Sequence, residues 1–133
     1  MSALKMLFIT LGLLGIIHVE AQSSKSRINA QEFHQKLNEN KGAIIIDARP
    51  SFKFAEDRIR DAILAEDQKT LELLIQDLPK HDPIFVYCQI GDRSKKALKV
   101  MKNSGFTEVY ELKDGLVTWI EAGLPLDTIK LNR

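Results

Sequence analysis

Cys88 is the one cysteine in a chain of 133 residues, and its neighbours suit a reactive thiol better than a packed one. The segment reads Tyr87-Cys88-Gln89-Ile90-Gly91-Asp92-Arg93-Ser94-Lys95-Lys96. An apolar run over 84–87 leads into the cysteine, and a helical pattern begins near Ser94. A junction of this kind falls at the carboxyl ends of the strands, where open α/β sheets bind their ligands. Gly91 can take a backbone conformation that turns successive N–H groups inward. Inward amides followed by a helix N-terminus make an anion-binding nest. A cysteine at its centre is stabilised as the thiolate, which is the nucleophilic form. Arg93 is placed to reinforce the loop or an anionic ligand, and Ser94 to cap the helix through its hydroxyl.

One reaction suits such a nest. A thiolate attacks an electrophilic sulfane sulfur to give Cys–S–S⁻, and a second nucleophile then removes the outer sulfur. The persulfide is an anion that backbone donors can hold, so no metal, organic cofactor or histidine base is required. No histidine lies near Cys88 in the sequence, where His34 and His81 read as surface residues. The residues leave other readings open. Cysteine phosphatases and arsenate reductases also place a thiolate in an anion-binding loop, with Cys-x5-Arg as their usual spacing; here four residues separate Cys88 from Arg93. A thiol–disulfide oxidoreductase needs a second cysteine, and no base–orienter arrangement marks a cysteine hydrolase. A non-catalytic persulfide carrier, a sulfide-binding module, an interaction domain, or an inert buried Cys88 are the blander alternatives.

The elements that must hold this loop alternate along the chain. Asn29-Ala30-Gln31-Glu32 is a helix start, with Phe33 and Leu37 on one face. AIIID over 43–47 reads as a central parallel strand, AIL over 62–64 as a short one, and EVYEL over 108–112 as the last. Leu71, Leu74, Ile75 and Leu78 form one helical stripe, and Ala97, Leu98 and Met101 another that ends at Gly105. GLVTWIEAG is a short final helix with Trp119 toward the sheet, followed by an extended tail. The alternation predicts a three-layer α/β domain with a mainly parallel sheet.

Balanced charge, 19 basic against 18 acidic residues and a formal net charge of +1, gives no general pull toward nucleic acid. A lone cysteine excludes an intrachain disulfide and an all-cysteine zinc site. Before the domain, Lys5 precedes an uncharged run over 6–17, and Val19-Glu20-Ala21 has small residues where a signal peptidase cuts. This is the pattern of a secretory signal peptide over 1–21, cleaved before Gln22. The run falls short of the roughly 20 apolar residues of a membrane span. The expectation is a periplasmic or secreted single domain over 22–133, with no stable membrane span after cleavage.

With these landmarks in order, the chain resembles the rhodanese family of sulfurtransferases. Cys88-Gln89-Ile90-Gly91-Asp92-Arg93-Ser94 is similar to the family's Cys-x-x-Gly-x-Arg-Ser loop, and Ile45-Ile46-Asp47-Ala48-Arg49 to its second strand and Asp-x-Arg segment. Asp114-Gly115-Leu116-Val117-Thr118-Trp119 and Ala122-Gly123-Leu124-Pro125 resemble its final helix and its ending. The resemblance implies an α/β/α rhodanese-like domain whose five-stranded sheet has the order 3-2-4-5-1. It implies a sulfurtransferase with Cys88 as the persulfide-bearing nucleophile inside a substrate-binding loop of Gln89, Ile90, Gly91, Asp92, Arg93 and Ser94. Asp47, Arg49 and Arg58 would support it, Arg49 through an ion pair near Glu56. Thiosulfate, polysulfide or a persulfide would be the donor, and a thiol, cyanide or a protein the acceptor. No cofactor, metal or nucleic acid is implied, and the expected state is a monomer. The sequence departs from the family where Asp57 and Asp61 replace glycines and Arg58 a histidine. Asp92 adds a negative charge to the loop, and Leu116 stands for the second glycine of a pair.

Overall fold

The computed structural model describes residues 25–129. The expected signal segment over 1–21 lies outside the described residues. Among those described, no helix is long and apolar enough to cross a membrane.

The chain begins with a short edge strand, β1 (Arg27–Ile28), and turns into α1 (Ala30–Glu39). Asn29 starts this helix as expected, its side-chain oxygen accepting the Glu32 N–H at 2.9 Å. Next come β2 (Ile44–Asp47), the short helix α2 (Ser51–Glu56), β3 (Asp57–Arg58) and β4 (Ile63–Leu64). Helix α3 (Gln68–Ile75), capped by Asp67, leads to β5 (Ile84–Tyr87). Helix α4 (Asp92–Asn103), β6 (Val109–Leu112), α5 (Leu116–Glu121) and β7 (Asp127–Thr128) complete the chain.

Five strands form a wholly parallel sheet in the order β1-β6-β5-β2-β4. Numbered by their sequence within this sheet, that is 3-2-4-5-1 read from the β4 edge, as expected. Side chains alternate across the sheet, and the two faces carry separate cores. Ile46, Val86 and Val109 meet Leu71 and Ile75 of α3 and Ala97, Leu98 and Met101 of α4. Ile45, Phe85, Tyr110 and Leu112 meet Phe33 of α1 and Trp119 of α5 on the other face. Phe33 lies edge-on to both Phe85 and Trp119, with ring centroids 5.3 and 6.1 Å away. Because β2 and β5 are interior and covered on both faces, their runs are continuously apolar up to the functional end.

The tail does more than wrap the body. β7 pairs antiparallel with β3, Asp57 opposite Thr128 and Arg58 opposite Asp127, and makes a second, two-stranded sheet. Arg60 adds an ion pair to Asp127 at 3.3 Å. Asp61, at a position where a glycine was expected from the resemblance, does take a positive φ of 65°. Asp57 has extended backbone and carries no such strain.

Candidate active site

β5 ends at Tyr87, so Cys88 is the first residue beyond the sheet, and its side chain shares the face of Val86 under α4. Residues 89–91 turn back at once, and Gly91, at φ 101°, serves as the N-cap of α4. The turn brings two amides onto the sulfur. Gly91 N–H donates to Cys88 Sγ at 3.1 Å, and Ser94 N–H at 3.3 Å. Ser94 Oγ stands 3.2 Å from the same sulfur. Cys88 is buried, so the two amides act where water screens them little.

The loop carbonyls are drawn the other way. Leu116 N–H donates to Cys88 O at 2.8 Å and Val117 N–H to Gln89 O at 3.3 Å. The orphan amides at the start of α5 are thus satisfied by the loop, which leaves its own N–H groups to face the sulfur. So close an approach requires Gly115. At φ 77°, a Cβ there would lie 2.3 Å from Gln89 O.

Arg49 clamps the loop from the side of β2. It is 1% exposed and sits against Asp47, which is 0% exposed. Its Nη2 reaches Asp47 Oδ2 at 2.9 Å, and Nη1 reaches Asp57 Oδ1 at 3.0 Å and Gln89 Oε1 at 3.3 Å. Nη2 also donates to the Asp57 carbonyl. Burial opposes the charged guanidinium, but the bonds to Asp47 and Asp57 outweigh it and hold its pKa above the ordinary value. Tyr87 donates its phenol to Asp47 Oδ2 at 2.6 Å, and burial beside that carboxylate pushes the phenol far above its usual range. Arg49 therefore ties together the end of β2, the start of β3 and the first loop residue.

A family model described as a rhodanese-like domain matches residues 29–122, which include the whole loop and its supports. The chain belongs to the rhodanese-like family. A sulfurtransferase from Allochromatium vinosum is 26% identical over 101 residues, covering 76% of this chain and 94% of that one. A tRNA uridine(34) hydroxylase from Chlamydia pneumoniae is 30% identical over 108 residues, and the match covers 76% of this chain but 33% of the hydroxylase. The solution structure of a rhodanese-like domain from an Anabaena protein superposes with a TM-score of 0.70 at 24% identity, covering 82% of this chain and 83% of that one.

Several expectations for this rhodanese domain need correction. Arg49 pairs with Asp47 and Asp57, not with Glu56, whose carboxylate instead lies 3.8 Å from Lys53 at the surface. Ser94 does not cap α4; Gly91 does, and Ser94 lies inside the first turn with its hydroxyl directed at the sulfur and at Glu111. The paired positive φ values belong to Asp114 and Gly115, so Asp114 stands in the glycine-like position and Leu116 is an ordinary helical core residue.

The other named residues spread around the loop. Arg58 lies over the Phe54 ring, 4.3 Å from its centroid, and bonds the Phe54 carbonyl rather than the loop. Ile90 is 61% exposed at the rim, and Arg93 reaches out to the Glu66 carbonyl at 3.3 Å. Asp92 is exposed in the first turn of α4, where the helix's partial positive charge offsets it. Its carboxylate therefore does not enter the nest. One buried charged group at the site has no motif to mark it in the sequence. Glu111 of β6 is 0% exposed and accepts from Ser94 Oγ at 2.7 Å and from Arg27 Nε at 2.7 Å. Period-two alternation was the available signal, since it puts Glu111 on the inward face of Val109.

Proposed function

We propose that this domain is a sulfurtransferase that carries sulfur as a persulfide on Cys88. The observation that supports this most is the sulfur's setting, with Gly91 and Ser94 N–H groups at 3.1 and 3.3 Å at the end of β5. Donors at that range suit an anionic sulfur. With thiosulfate, the Cys88 thiolate attacks the outer sulfur, an S–S bond forms, and sulfite leaves with the electron pair of the broken bond. The product, Cys–S–S⁻, keeps the negative charge beside the Gly91 and Ser94 amides. Cyanide, or a thiolate, then attacks the outer sulfur and leaves as thiocyanate or a new persulfide, and the Cys88 thiolate returns. Polysulfides and organic persulfides enter by the same displacement. Gln89 and Arg93 hold the loop's shape, through Arg49 and the Glu66 carbonyl respectively.

The test is turnover. Purified protein is offered thiosulfate, polysulfide or an organic persulfide, with cyanide or a dithiol as acceptor. At least one donor should support repeated transfer, and Cys88→Ser should abolish it while leaving the circular dichroism spectrum unchanged. Loading without turnover would identify a carrier instead, and turnover of an aryl phosphate without sulfur loading would support the phosphatase alternative. We also read residues 1–21 as a secretory leader, from Lys5, the uncharged run over 6–17 and Ala21. Expressed in a bacterium, the chain should appear outside the cytoplasm with Gln22 as its first residue. Cytoplasmic protein that retains Met1 would count against export.

A further inference from the structure

β6 is buried along its whole length, and Glu111 is its one charged residue. Tyr110 and Leu112 turn toward Phe33 and Trp119, while Val109 joins Met101 and Cys88 on the opposite face. Glu111 shares the Val109 face, so a carboxylate stands where a core side chain would otherwise fill the layer beneath α4. Arg27 Nε meets one of its oxygens at 2.7 Å, and Ser94 Oγ the other at 2.7 Å. The bond to Glu111 is what chiefly holds the Arg27 guanidinium above its ordinary pKa.

Ser94 has a single hydroxyl proton and three acceptors within reach. They are Glu111 Oε1 at 2.7 Å, Cys88 Sγ at 3.2 Å and the Gly91 carbonyl at 3.3 Å. The shortest bond, to a charged carboxylate, takes it. The hydroxyl then presents lone pairs to the sulfur. It can accept from a neutral S–H, but it has no proton left to donate to a thiolate.

We propose that Glu111 is a positioning residue that sets the reactivity of Cys88 by holding the Ser94 hydroxyl proton away from the sulfur. This rests on the reading of Cys88 as the nucleophile. The other charged groups around the loop are differently engaged. Arg27 of β1 pairs with Glu111 and lies against Gly91, while Asp92 of α4 and Asp114 ahead of α5 act on Arg27. Arg49 holds Gln89 between Asp47 and Asp57, and Arg93 points to the Glu66 carbonyl. Lys95 and Lys96 are exposed on α4. Among the described residues, Glu111 alone joins its charge to the sulfur through one intervening hydroxyl.

Glu111→Gln tests this. The new amide can keep Arg27 on its oxygen and donate its N–H to Ser94 Oγ, which frees the Ser94 proton to turn to the sulfur. A hydrogen bond to a charged group is worth about a factor of ten in the ionisation equilibrium. The thiolate's ultraviolet absorbance should therefore appear at lower pH, with about ten times more thiolate on the acid limb. A thiolate stabilised in this way is also a weaker nucleophile. The alkylation rate of Cys88 should thus rise about threefold on the acid limb and fall about threefold on the alkaline plateau.

Loss of the Glu111 charge could produce a shift of the same sign through space, and Ser94→Ala separates the two causes. The effect of Glu111→Gln should largely disappear in the Ser94→Ala background. Glu111→Asp keeps the charge but retracts the carboxylate, and it should move the profile in the same direction as Gln. An unchanged profile in Glu111→Gln, or an equal shift with and without the Ser94 hydroxyl, would overturn the proposal. None of these readouts needs a sulfur donor. Failure of Cys88 to load sulfur would defeat the sulfurtransferase reading and leave this result standing, and the reverse also holds.

Discussion

Arg49→Met should lower the folding stability by about 3–5 kcal/mol, the cost of stranding a buried charge whose partner has been removed. Asp47 is fully buried, and without Arg49 it would keep only the Tyr87 hydroxyl and the residue 49 amide as donors. In a domain of this size the melting temperature should fall by roughly 15–25 °C. Urea unfolding of the two proteins at neutral pH reads the difference directly. Arg49→Lys should recover little of it. One ammonium cannot reach Asp47, Asp57 and Gln89 together as the planar guanidinium does. A loss below about 1 kcal/mol would mean that Arg49 does not clamp the loop.

Gly115→Ala should damage the loop and the fold at once. An alanine at φ 77° is strained, and its methyl would lie 2.3 Å from the Gln89 carbonyl oxygen and 2.5 Å from the Ile90 nitrogen. Both contacts are backbone atoms, so no side-chain rotation relieves them. Strain and overpacking together should cost about 2–4 kcal/mol. The chain must also push Gln89 away, next to Cys88, and a displacement near 1 Å of reacting groups can cost on the order of a hundredfold in rate. Sulfur transfer at a temperature where the variant remains folded should fall by about that factor. Gly105→Ala is the control, because its φ of 93° is also positive but a methyl there meets nothing within 4 Å. It should lose stability and keep its activity per folded molecule. Equal activity loss in both variants would break the link between Gly115 and the loop.

What could be read from the chain follows from how local each signal is. β5 is a continuous apolar run, and β2 is apolar up to Asp47, because both are covered on both faces, and Asn29 marks the first helix by a bond three residues long. The nest around Cys88 is also local, since Gly91 and Ser94 lie within six residues of the sulfur. Contacts between distant partners leave no such local mark. β3 exists only because Asp57 and Arg58 meet Thr128 and Asp127, and that pairing puts Asp57, not Glu56, on Arg49. Glu111 looks like an ordinary strand residue in the sequence because its carboxylate meets Ser94 and Arg27 only after β1 and α4 close over β6. The two adjacent positive φ values fall on Asp114 and Gly115 rather than on Gly115 and Leu116. Asp114 can take the left-handed conformation usually left to glycine, and composition alone does not show it.

If Cys88 carries transferable sulfur as proposed, the intact mass of the protein should rise after exposure to a sulfane donor. The expected gain is a single sulfur atom, located on Cys88 by fragmentation, removed by cyanide and absent in Cys88→Ser. A folded wild-type protein that gains no sulfur from thiosulfate, polysulfide or an organic persulfide would contradict it.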